Sequence, residues 1–119
     1  MKLLKKNPQI DGNAIDDISL VSDSLLSIYI YSEMDLLNIN LKIQSFYRKE
    51  TLILKFINVL EYHLYYNNSY SFYNIENYKV LKTSDNKYYL SLDPDESIDG
   101  ISKSDQDFIV SERLEIYVE

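Results

Sequence analysis

The stretch Leu37-Asn38-Ile39-Asn40-Leu41-Lys42-Ile43-Gln44 alternates apolar and polar side chains over eight positions. That period of two belongs to a strand with one buried and one wet face. It places Leu37, Ile39, Leu41 and Ile43 inward, and Asn38, Asn40, Lys42 and Gln44 toward solvent. Upstream, Leu25 to Tyr31 is β-branched and aromatic and predicts a second strand, with Ser24 capping a short helix as the alternative. Downstream, Tyr47 to Glu50 is a polar turn. Leu52, Leu54 and Phe56 then share one face, and Val59 to Tyr66 either continues that strand past a bulge or forms another.

Asn67-Asn68 reads as a turn, because asparagine tolerates left-handed backbone angles. Ser69 to Tyr78 fits both periods and predicts irregular structure or one short helix. Tyr78 to Leu81 and Lys87 to Leu92 flank a turn near Asp85-Asn86, a hairpin signal. After a polar loop over 93–107, Leu114, Ile116 and Val118 alternate inward at the end of the chain. The expected fold is mainly β, an antiparallel sandwich or curled sheet with at most one short helix; α+β is the alternative. The chain reads as a single domain over residues 1–119, with 1–16 as an N-terminal arm or short first strand.

Composition narrows the chemistry. There is no cysteine, one histidine and only two glycines, Gly12 and Gly100. Thiolate metal sites and glycine-rich phosphate loops are therefore excluded. His63 lies between Tyr62 and Leu64 with no nucleophile motif to serve, so the chain is expected to bind rather than catalyse. The net charge of −7 disfavours nucleic acid. Two lysines follow Leu3-Leu4 at once, and no apolar run is long enough to span a membrane. A soluble, cytoplasmic protein without cofactor is the expectation.

Two features suggest a binding surface. Asp93, Asp95, Glu96, Asp99, Asp105 and Asp107 crowd one loop, opposed only by Lys103. Asp93, Asp95, Ser97 and Asp99 repeat at the spacing of calcium ligands. However, Ile98 stands where the turn glycine belongs, and Ser104 where the bidentate glutamate belongs, so no metal is expected. The loop is either a solvated connector or a recognition patch for a basic partner. Six tyrosines, Tyr62, Tyr65, Tyr66, Tyr70, Tyr73 and Tyr78, fall within seventeen residues. They supply either core packing or interface area. The candidate contact set is Asp93, Asp95, Glu96, Asp99, Asp105, Tyr65, Tyr66 and Tyr70.

Three stretches, Leu54-Lys55-Phe56-Ile57-Asn58-Val59, Tyr88-Tyr89-Leu90-Ser91-Leu92-Asp93-Pro94-Asp95-Glu96 and Asp105-Gln106-Asp107-Phe108-Ile109, resemble immunity proteins of polymorphic and contact-dependent toxin systems. The resemblance spans roughly the C-terminal half. It implies a cytoplasmic bacterial protein that binds a cognate toxin, such as a nuclease, and occludes its basic active site. The alternative is a non-catalytic structural or assembly subunit of a small oligomer.

Overall fold

A computed structural model describes residues 1–65 and 74–119. Among them are nine strands and no helix: β1 (Lys2–Lys6), β2 (Ile10–Asp11), β3 (Ala14–Ile15), β4 (Ser24–Glu33), β5 (Leu36–Gln44), β6 (Thr51–His63), β7 (Lys79–Lys82), β8 (Tyr88–Asp93) and β9 (Gln106–Val118). Seven form one antiparallel sheet in the order β4-β5-β6-β9-β8-β7. β1 pairs with the C-terminal half of β9, while β2 and β3 make a separate ribbon. Among the described residues no helix is long and apolar enough to cross a membrane.

The mainly β expectation holds, with one sheet rather than two packed against each other. Its inner face is closed by chain outside the sheet. Ile15, Ile18, Leu20 and Ile75 join Ile39, Leu41, Leu54, Phe56, Leu90 and Ile116 in one buried cluster. At the N-terminus β1 is a sheet strand, the short first strand of the two readings, and Ile15 is a core residue. Ser24 starts β4 instead of capping a helix, because its strand finds β5 across a tight hairpin. Residues 74–78 are not helical, and the rest of the ambiguous 69–78 stretch lies outside the described residues.

Ile39, Leu41 and Ile43 point into the core as the alternation requires. Leu37 and Asn38 reverse it: Leu37 is exposed and Asn38 is 2 % exposed. Ile39 is the last β5 residue paired with β6, so Leu37 has no neighbouring strand on that side. Asn58 in β6 has a φ of 57°, and its N–H turns to the side-chain oxygen of Asn38 at 3.1 Å. A buried asparagine thus satisfies a backbone donor diverted from the ladder. At this level burial switches from even to odd positions along β6 and from odd to even along its antiparallel neighbour β9, and just past Val59 the residue Leu60 is skipped as a bulge. The strand therefore continues past Val59, one of the two routes the sequence left open.

Sheet edges are treated unequally. Along β7, the Asn13 side chain donates to Tyr78 O at 2.6 Å and accepts from Val80 N–H at 3.0 Å, while the Tyr78 hydroxyl donates to Asn13 O. One side chain thus fills the place of a neighbouring strand. β4 carries no charge from Ser24 to Ser32 and exposes Leu26, Tyr29 and Ile30. Beyond a bridge from Ser24 to Asn74, it pairs only with β5 among the described residues.

The β4–β5 turn is Met34-Asp35, with φ of 54° and 63°, the type I′ geometry that suits a two-residue hairpin. Side chains with a Cβ resist that region. Replacing Met34 by Asn together with Asp35 by Gly should therefore raise stability by about 1 kcal/mol, read as a higher urea midpoint at unchanged slope.

Candidate functional site: the acidic loop

β8 and β9 are neighbours, and Asp93 pairs with Gln106 across the mouth of the loop between them. Residues 94–105 therefore leave and return at one point. Tyr78, just before β7, and Val80, Tyr88 and Leu90 of β7 and β8 face the core. Strand alternation then sends Lys79, Tyr89 and Ser91 to the opposite face. There the loop folds back and buries them: Lys79 is 7 % exposed, Tyr89 2 % and Ser91 0 %.

The centre is an ion pair between Lys79 Nζ and Asp105 Oδ1 at 2.9 Å, the Asp105 side chain being fully enclosed. Lys79 spends its other two donors on the carbonyl oxygens of Gly100 (2.8 Å) and Asp95 (3.1 Å). Asp105 accepts three more bonds: the Asp95 N–H at 2.8 Å, the Tyr89 hydroxyl at 2.7 Å and the Ser102 N–H at 3.0 Å. An ammonium has three donors and a carboxylate about four acceptor positions, so both groups are saturated. That saturation makes a buried pair tolerable.

Burial alone would raise the Asp105 pKa. The Ser102 N–H, the Lys79 ammonium, the Tyr89 hydroxyl and the Asp95 N–H outweigh it and hold the group down to about 2. Tyr89 moves the other way, because burial and its acceptor Asp105 both disfavour a phenolate.

Asp95 makes a second knot. Its Oδ1 accepts the Ser97 N–H (3.0 Å) and hydroxyl (2.6 Å), and its Oδ2 the Ser102 hydroxyl (2.7 Å). These serine bonds lower its pKa. Asp107, at φ 50° and buried, accepts the Tyr65 N–H at 2.7 Å.

The candidate residues therefore divide. Asp105 lies inside the loop and presents no surface, and Asp95 is half-buried and bonded within it. Asp93 is half-buried at the end of β8. Glu96 and Asp99 are exposed on the rim of a recess of about 450 Å³, beside Ile98, Pro94 and Leu81. Glu96 also accepts a bond from the Asn77 side chain. Tyr65 is 53 % exposed just past β6; Tyr66 and Tyr70 lie outside the described residues. Among the described residues no group of three or more His, Asp or Glu is arranged to hold a metal. His63 is exposed and stacks on Phe108 at 6.1 Å between centroids.

Sequence reasoning missed Lys79, Tyr89 and Ser102. A lysine inside Tyr78-Lys79-Val80-Leu81 carries one available signal, its place on the non-core face of a strand. Its partner lies 26 residues away, at a spacing no local pattern encodes.

No family model matches the chain, and neither a curated protein nor a solved structure matches it.

Asp105→Asn should cost about 3–5 kcal/mol in chemical denaturation, because it strands the Lys79 ammonium without its counter-charge. The pH profile checks the same site. A carboxylate whose pKa falls on folding stabilises above its unfolded value near 3.8, and that contribution fades as pH drops toward about 2. The variant should lack that part of the acid slope.

Proposed function

We propose that this chain is an immunity-type inhibitor that acts in the cytoplasm by binding a cognate, basic toxin domain and covering its active site. The observation that carries this reading is the pre-assembled loop. Lys79 and Asp105 fix residues 94–105 before any partner arrives, so Glu96 and Asp99 are displayed with little ordering left to do on binding. The net charge of −7 favours encounter with a basic surface. The stretches that resemble immunity proteins also contain Tyr89, Asp95 and Asp105, which build the loop. Their bonds are spent inside the platform, while Glu96 and Asp99 are exposed on its rim and available for specificity. A binding role without catalysis accords with this division of labour.

A second reading is favoured by one specific feature, the uncharged run of β4 with exposed Leu26, Tyr29 and Ile30. An edge of that kind invites another strand, as in an assembly subunit. Light scattering at micromolar concentration separates the two: a strict monomer removes the assembly reading.

The inhibitor reading is tested by titration calorimetry against the product of the adjacent gene. The expected result is a tight complex whose affinity falls with added salt. Glu96→Gln with Asp99→Asn should weaken it by at least about tenfold, the loss of one or two charge pairs, while leaving the melting curve in place. Absence of binding, or affinity indifferent to that double substitution, overturns the proposal.

A further inference from the structure

Asp23 is fully buried, yet its carboxyl has little to bond to. Oδ1 accepts the Phe46 N–H at 2.9 Å, and Oδ2 has no partner among the described residues. An ionised carboxylate held in that state would be strongly disfavoured, because one N–H cannot replace its hydration. Burial raises the Asp23 pKa, and the Phe46 N–H only partly offsets it.

Among the described residues, the surroundings supply no counter-charge. Asp23 is held between Leu20, which accepts its N–H, and Ile75, which donates to its carbonyl. Charged groups on the packed elements are engaged elsewhere or exposed. Asp16 and Asp17 pair with Lys5, Arg48 with Glu50, and Lys42 with Glu119; Lys49 and Glu76 are exposed. Desolvation and the Phe46 bond are the influences on its titration.

The group it holds is the β5–β6 turn. Ser45 N–H bonds Glu50 O at 2.9 Å, Lys49 N–H bonds Ser45 O at 3.1 Å, and Arg48 N–H bonds the Ser45 hydroxyl at 3.3 Å. The turn displays Phe46 and Tyr47 edge to face at 5.1 Å, 61 % and 73 % exposed. The only tie in this set from the aromatic tip to the body of the protein is the Asp23 bond.

We propose that Asp23 is a proton-operated clasp: with its proton on, it fixes the Phe46–Tyr47 tip, and loss of that proton to water loosens the turn so the carboxylate can reach solvent. This device is independent of the acidic loop and does not rest on the inhibitor reading. The sign follows from the raised pKa. The stabilisation is fully present below the unfolded value and is lost as pH rises through the folded one.

The test is the Phe46 amide, followed by NMR from pH 3 to 9 on the intact chain, with hydrogen-exchange protection factors for residues 46–49. The Phe46 shift should titrate with a midpoint above the ordinary aspartate range, and protection across the turn should fall at least tenfold through it. Asp23→Asn keeps an oxygen acceptor but cannot ionise, so its protection should be independent of pH. Asp23→Ala should be poorly protected throughout. A Phe46 midpoint at or below the ordinary aspartate value overturns the proposal, and wild type alone suffices for that reading. So does an Asp23→Asn profile that falls with pH as wild type does.

Discussion

The two halves of this sheet are joined through β9. Along one flank β9 pairs with β6 from Leu52↔Val118 to His63↔Phe108. Along the other it pairs first with β8 and then, past Ser111, with β1. Without it, β4, β5 and β6 remain a hairpin meander, and β7–β8 an isolated hairpin too small to be stable in water. The cost is topological. The β6–β9 and β1–β9 contacts join residues more than 40 positions apart, so loop closure must precede most of the burial that rewards it. Two local hairpins with defined turns, at Met34-Asp35 and Thr83–Lys87, shorten the search before that closure.

The acidic loop depends on the same arrangement. Because β8 and β9 lie side by side, the segment joining them must return to its origin, and its polar backbone must find partners over a strand face. Lys79 supplies three donors at the centre of that face, and Asp105 gathers what remains. Acidity that looks uniform in sequence is thus divided by geometry into an interior scaffold and an exterior rim. Asp105 and Glu96 are chemically alike, but one is enclosed by β7 and β8 and the other is exposed.

The legible parts of the sequence were those set by local sterics. Alternation at Ile39, Leu41 and Ile43 reported a buried face directly, and Asp85-Asn86 marked a real turn, with Asn86 at φ 69°. Leu37 and Asn38 misled because burial there depends on where β6 stops pairing, a property of another strand. The candidate loop was half legible. Its location followed from acid density, but the inward aim of Asp105 depends on Lys79, whose significance no window around residue 79 reveals. The closure of the inner face by Ile15, Ile18 and Leu20 was likewise hidden, since a short apolar residue in a polar stretch has no period to announce it.

Asn13 bears on how such a sheet could grow. By occupying the Tyr78 carbonyl and the Val80 N–H, its amide leaves β7 little to offer an incoming strand. β1, the other short edge, carries three lysines in five residues, whose like charges repel a second copy of the same strand. β4 is therefore the most open side for lateral addition among the described strands. Were a second copy to add along β4, that pairing would use up both open sides and end at two chains, so such growth would not propagate into a filament.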